Sequence, residues 1–209
     1  MIFQNRSEAG RKLAEKLEHY HGQDNVVVMG LARGGVVVAH EIASTLELPF
    51  DVVVVRKVGA PDNEELALGA VTDQGKGIFN DELITLLGVS KEYLRKEAEK
   101  QKELVKQRKE LYLKGRKAMD PANKTVILVD DGIATGASMR VAIDAVKAQN
   151  AAKIVLAVPV ASAESLAEIS KIVDEVVCLS APRTFHAVGA FYKEFSQVSD
   201  AEVEALMNF

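Results

Sequence analysis

Residues 124–139, Lys-Thr-Val-Ile-Leu-Val-Asp-Asp-Gly-Ile-Ala-Thr-Gly-Ala-Ser-Met, most constrain what this chain can fold into. A largely β-branched apolar run, residues 126–129, stops at two carboxylates, Asp130 and Asp131, and a small turn leads to a helical pattern opening at Ala137. That spacing is strand, loop, helix N-terminus. Gly132, Ala134, Gly136 and Ala137 carry little bulk, so backbone N–H groups can close on a phosphate while the new helix points its positive end at it. Thr135 and Ser138 add hydroxyl donors. The two carboxylates would repel a phosphate and so serve something beside it, either sugar hydroxyls or a hydrated cation. A phosphate cup adjoining a carboxylate pair suggests a phosphorylated sugar.

The length of 209 residues suits one α/β domain with a full core, and we expect a single domain over 1–209 with a small appended subregion. A net charge of −4 and a pI near 5.7 give no general electrostatic footprint for nucleic acid. The lone Cys178 excludes an intrachain disulfide framework and a Cys cluster for zinc; in a strand-like run it reads as a small buried hydrophobe. No apolar run approaches a membrane span and the N-terminus lacks a signal-peptide core, so the expected location is the cytoplasm.

A second strand-to-turn break precedes the acidic one. Residues 25–29 read as a buried strand that runs into Gly30-Leu-Ala-Arg-Gly-Gly35 and then a helical pattern. Gly34 and Gly35 permit close backbone approach and Arg33 offers a planar fork of donors, so this is a second anion site, suited to a pyrophosphate. The spacing of a dinucleotide fingerprint is missing and a Walker Gly-Lys-Ser/Thr occurs nowhere.

Val-Asp-Asp-Gly-Ile-Ala-Thr-Gly-Ala-Ser, residues 129–138, resembles the 5-phosphoribosyl-1-pyrophosphate (PRPP) signature of the type I phosphoribosyltransferases, and Ala32, Arg33, Gly34 and Gly35 resemble their pyrophosphate loop. That loop often carries a non-proline cis peptide in the family. The resemblance implies an open, mainly parallel twisted sheet of about five strands with helices on both faces, in an α/β fold with a small hood. It implies Mg²⁺ as cofactor and PRPP plus a nitrogenous acceptor as substrates. Asp130 and Asp131 would hold the ribose hydroxyls and, through water or PRPP, the metal. Gly132, Ile133, Ala134, Thr135, Gly136, Ala137 and Ser138 would bind the 5-phosphate; Arg33, with Asp130 and Asp131, would act in catalysis. Hypoxanthine–guanine members carry a carboxylate three residues after the second Asp; here that position is Ala134, which argues against an oxopurine acceptor.

The rest of the chain reads around this frame. Ser7 is the expected cap of a scaffold helix reaching about residue 20, and His19 and His21 near its end read as surface residues. Residues 50–55 read as a strand whose carboxyl end carries Arg56 and Lys57, either solvated or, as the resemblance implies, in contact with pyrophosphate. Residues 58–77 match the family's flexible loop or hairpin over PRPP; Glu64 and Glu65 lie on it. Ser90 opens a charged helical insertion over about 90–117, best read as a solvated face, with nucleic acid or a sister subunit as its alternative partner. Residues 153–159 and 175–180 are strands flanking a helix at 163–171. A C-terminal hood at about 182–209 holds Phe185, His186, Phe191, Tyr192 and Phe195, which either wall an acceptor ring or plug the core beneath a last helix at 200–207.

The function expected is transfer of the 5-phosphoribosyl group to a nitrogenous acceptor by a cytoplasmic homo-oligomer. The alternative is a PRPP- or nucleotide-sensing regulator on the same fold, with possible contacts to nucleic acid through the basic helix.

Overall fold

The computed structural model describes residues 1–73 and 77–208, the side chain of Glu65 excepted. Its core strands are β1 (Val26–Leu31), β2 (Phe50–Val53), β6 (Thr125–Val129), β7 (Lys153–Val160) and β8 (Glu175–Ser180). They form a parallel sheet in the order β2-β1-β6-β7-β8. Successive residues of these strands face opposite sides, and both sides are apolar, as a sheet covered on both faces requires. Val26, Val28, Ile127, Val129 and Val155 pack under α1 (Arg6–Lys16) and α2 (Gly34–Leu46). Val27, Met29, Val126, Leu128 and Leu156 pack under α5 (Ala137–Ala148) and α6 (Ala163–Ile169). The chain leaves β1 toward β2 on one side and returns to β6 on the other. The carboxyl ends of β1 and β6 therefore flank a topological switch point, where such sheets open a crevice.

A second sheet carries β3 (Arg56–Ala60), β4 (Asn63–Val71) and β5 (Ile78–Phe79), all antiparallel. It corrects one expectation. The strand beginning at Phe50 ends at Val53, and Arg56 starts a new strand rather than closing a core one. Of the loop or hairpin expected over 58–77, the described residues form the hairpin, turning at Pro61 and Asp62, with residues 74–76 outside the described residues. Helix α3 (Asp81–Leu86), capped by Asn80, was not expected.

The charged insertion is α4 (Lys91–Leu113), capped by Ser90 as expected. Gln101, Val105, Tyr112 and Leu113 form its buried side, and Val105 and Tyr112 pack with Val52, Val54 and Val203 of α7 (Asp200–Met207). Helix α4 clamps the hairpin: Tyr93 Oη donates to the Gly59 carbonyl at 3.0 Å, and Lys109 pairs with Asp73 at 2.8 Å. The opposite side bears helical ion pairs such as Lys96 with Glu92, in keeping with a solvated face.

The first helix starts one residue earlier than its expected cap, Ser7. Asn5 is the cap, extended at φ −157° and accepting the Glu8 amide at 3.0 Å. The helix ends at Lys16, and residues Glu18–Tyr20 form a 3₁₀ turn. No helix among the described residues is long and apolar enough to cross a membrane.

Candidate functional site

The two expected anion loops lie against each other at the switch point. The peptide between Ala32 and Arg33 is cis, and α2 starts at Gly34. A Cβ on Gly34 would sit 1.9 Å from Asp131 Oδ2, and one on Gly35 would sit 2.7 Å from the Val129 carbonyl and 2.8 Å from Asp130 Cα. Two glycines are needed because the turn after β1 presses on the carboxylates that end β6.

The carboxylates have unequal surroundings. Asp130 Oδ1 accepts the Asp131 amide at 2.8 Å. Burial pushes the Asp130 carboxyl well above the ordinary range, and the neighbouring Asp131 charge adds to the shift. Burial raises Asp131 too, against the pull of Arg6, whose Nε donates to Asp131 Oδ2 at 2.7 Å. The Asp131 carbonyl accepts from Tyr192 Oη at 2.6 Å.

The turn after Asp131 leads directly into the start of α5. Gly136 caps α5 at φ +77°, a conformation that favours glycine, with Ile169 beneath it. The first amides of α5 have no intrahelical acceptor and point out of the helix start, where Thr135 and Ala137 are exposed. Ile133 is buried, its amide bonded to the Val160 carbonyl at 2.9 Å. The Ala134 carbonyl accepts from Ser162 Oγ at 2.8 Å and Ser165 Oγ at 2.7 Å, so α6 braces the turn from behind.

Arg33 Nη1 lies 3.9 Å from Asp200 Oδ1 at the start of α7. Arg108 Nε is 3.7 Å from the same oxygen, and Tyr112 Oη donates to it at 2.5 Å. Arg56 is tied to α4: its Nε donates to Gln101 Oε1 at 2.5 Å, and Gln101 Nε2 donates to Glu97. Lys57 lines a cleft of about 220 Å³ between the hairpin and the start of α5, with Thr135, Ala137 and Arg140. The structure thus puts Lys57, on a strand of the second sheet, beside the expected 5-phosphate turn.

The aromatic tail divides. Tyr192 is buried against Phe3 and stacks on Phe195 with ring centroids 4.9 Å apart. Phe185 and Phe191 stack on each other at 5.3 Å, and His186 is exposed. Val188 packs so closely on Gly132 that a Cβ there would sit 2.5 Å from Val188 Cγ1, which sets the hood directly over the acidic turn. Phe185, His186, Phe191 and Tyr192 therefore do not share one wall, since Tyr192 is a core plug.

Residues 2–194 match the family model of the phosphoribosyl transferase domain. The chain belongs to this family. A provisionally named phosphoribosyl transferase of Mycobacterium tuberculosis is 41% identical over 209 residues, 99% of this chain. This chain spans 46% of that relative's length. Among solved structures, the protein TT1426 from Thermus thermophilus shares 44% identity at a TM-score of 0.83, covering 99% of this chain and 98% of that one. A purine phosphoribosyltransferase from Pyrococcus horikoshii, 20% identical with a TM-score of 0.50 over 93% and 92% of the two chains, shares the fold.

Two contributors to this phosphoribosyltransferase-like site, Arg6 and Asp200, have no local signal in the sequence, and a third, Tyr192, is legible as a hood aromatic but not as a donor to the Asp131 carbonyl. Arg6 lies in a helix whose pattern speaks only of packing. Asp200 and Tyr192 reach the two loops from the far end of the chain. Ser162 is legible as a helix cap, which it is, accepting the Ser165 amide at 3.2 Å, but its second bond to Ala134 is not.

Proposed function

We propose that the chain is a Mg²⁺-dependent type I phosphoribosyltransferase that joins the 5-phosphoribosyl group of PRPP to a nitrogenous acceptor and releases pyrophosphate. One observation carries the reading: the acidic pair, the small-residue helix start and the Gly-Gly turn meet at one switch point, so a ligand made of phosphate, sugar and pyrophosphate can touch all three.

In this reaction the acceptor nitrogen bonds to ribose C1 as the bond from C1 to the pyrophosphate oxygen breaks. The bonding pair leaves with pyrophosphate, and the acceptor's proton passes to solvent. Positive charge grows on the ring, so the groups that matter are those better matched to that charge than to the ground state. Asp130 and Asp131 would hold the ribose hydroxyls and set a negative potential beside the ring. The turn from Gly132 to Ser138 would fix the 5-phosphate through the α5 amides and the hydroxyls of Thr135 and Ser138, which orients C1. Arg33 and the loop of Ala32, Gly34 and Gly35 would take the departing pyrophosphate, with the guanidinium exchanging Asp200 for the ligand.

The donor set fits a hydrated magnesium ion, since the two adjoining carboxylates are hard oxygen ligands. Asp130 and Asp131 would hold it through water and through PRPP itself, where it would supply positive charge to the leaving group. Ala134, whose carbonyl is already engaged by Ser162 and Ser165, offers no side-chain acceptor for a purine ring proton. That favours acceptors other than hypoxanthine and guanine.

The test is pyrophosphate release from PRPP and Mg²⁺ across purines, pyrimidines and small amines. Turnover with one acceptor class bears the proposal out. PRPP binding without release from any acceptor would replace it by a PRPP-sensing role.

A further inference from the structure

Arg6 occupies a place that helix electrostatics disfavour. It opens the first turn of α1, where the backbone dipole favours anions, and its side chain is only 11% exposed. It is nevertheless held on three sides. Nε donates to Asp131 Oδ2 at 2.7 Å, Nη1 donates to the Ser196 carbonyl at 2.9 Å, and the guanidinium lies 3.9 Å from the centre of the Phe195 ring. The segments that hold it are joined to each other: the Phe3 amide donates to the Phe191 carbonyl at 2.8 Å, and the Lys193 and Glu194 amides donate back to Phe3 and Gln4, both at 2.9 Å. Residues 3–6 and 191–196 are thus folded around one ion pair whose acidic member belongs to the candidate sugar site.

Two adjoining carboxylates beside a phosphate cup and a pyrophosphate loop create a difficulty for the ligand proposed above. Where both carboxyls are ionised, a substrate with phosphates at both ends would meet two negative charges along its sugar. Arg6 offsets the one on Asp131. It also fixes which oxygen of Asp131 stays free, because Oδ2 is taken.

On the reading that this crevice binds PRPP, we propose that Arg6 is a positioning residue for the sugar: it orients and neutralises Asp131, leaving Asp130 and one oxygen of Asp131 to grip the ribose. Arg6 acts through Asp131 and does not touch the reacting atoms.

The test compares Arg6→Gln with Arg6→Lys by titrating PRPP and Mg²⁺ into each folded full-length variant, and by separating KM for PRPP from kcat where turnover is measurable. Gln keeps a donor of similar reach without charge; Lys keeps the charge. Loss of a charge-assisted hydrogen bond at a desolvated site corresponds to roughly a 10- to 100-fold weaker PRPP affinity for Arg6→Gln, expressed in KM more than in kcat. Arg6→Lys is expected to recover most of that loss. Equal PRPP affinity of Arg6→Gln and the parent chain, with melting temperature alone lowered, would mark Arg6 as a purely structural tie and overturn the proposal. Should the parent chain itself bind no PRPP, the functional reading falls first and this role falls with it.

Discussion

Gly34 and Asp131, nearly 100 residues apart in the chain, compete for one small volume: the space a Cβ on Gly34 would fill lies 1.9 Å from Asp131 Oδ2 and 3.1 Å from Arg6 Nε. The turn after β1 and the acidic end of β6 are thereby built as one unit, held by close backbone approach on one side and by the Arg6 ion pair on the other. A ligand that needs both loops finds them already in register.

Gly34→Ala should displace a pinned carboxylate, because Asp131 can retreat only by breaking its bond to Arg6. PRPP affinity is expected to fall at least about tenfold, with a modest loss of stability. Gly35→Ala meets backbone at Val129 and Asp130 instead, and overpacking of that kind costs about 1–3 kcal/mol. Urea denaturation should rank Gly35→Ala as the less stable variant; the reverse order would contradict the geometry.

Asp130→Asn keeps shape and removes a charge that the fold holds at a cost. A carboxyl whose folded pKa is raised binds more protons in the native state than in the unfolded one. Its contribution to stability is therefore largest at acid pH and is lost as pH rises through the folded value. Asp130→Asn is expected to unfold at neutral pH no more easily than the parent chain, while binding PRPP far more weakly. Asp131→Asn should be less stable, because it leaves the Arg6 guanidinium without its anion. Denaturation of both variants at neutral pH checks the ordering, and equal stabilities would contradict it.

Tyr192→Phe tests the hood as a support for the acidic turn. The substitution keeps the ring packing on Phe3 and Phe195 and removes one hydrogen bond to the Asp131 carbonyl, a loss of about 1–2 kcal/mol. Were Tyr192 instead part of an acceptor wall, stability would be unchanged and the acceptor KM would move.

Gln101 joins Arg56 of the hairpin to Glu97 on α4. Gln101→Ala should loosen the hairpin and speed amide hydrogen exchange across β3 and β4, leaving the five-stranded sheet protected. Unchanged exchange in residues 56–71 would mean that Tyr93 and Lys109 hold the hairpin without it.

How far the sequence discloses this arrangement follows from the range of the interactions. The strand, acidic pair and helix start at residues 126–138 are legible because the run of Val126, Ile127, Leu128 and Val129 ends sharply at a charge and the turn chemistry is local. The Gly-Gly turn is legible as a close approach, but what approaches it is not. The hairpin is obscured because Gly59, Gly69, Pro61 and Asn63 interrupt any strand alternation, and its strands are held from outside by Tyr93 and Lys109. Arg6 is invisible for a simpler reason: its partner lies 125 residues away, and no local pattern marks a helix residue that faces a carboxylate across the fold.

The most direct measurement is titration calorimetry of PRPP with MgCl₂ into folded protein, alongside a variant carrying Asp130→Asn and Asp131→Asn. Saturable heat is expected from the parent chain and its loss in the variant, with the fold of the variant intact by circular dichroism. No heat from well-folded parent protein, or equal binding by the variant, would contradict the claim that this crevice holds a phosphorylated sugar by its twin aspartates.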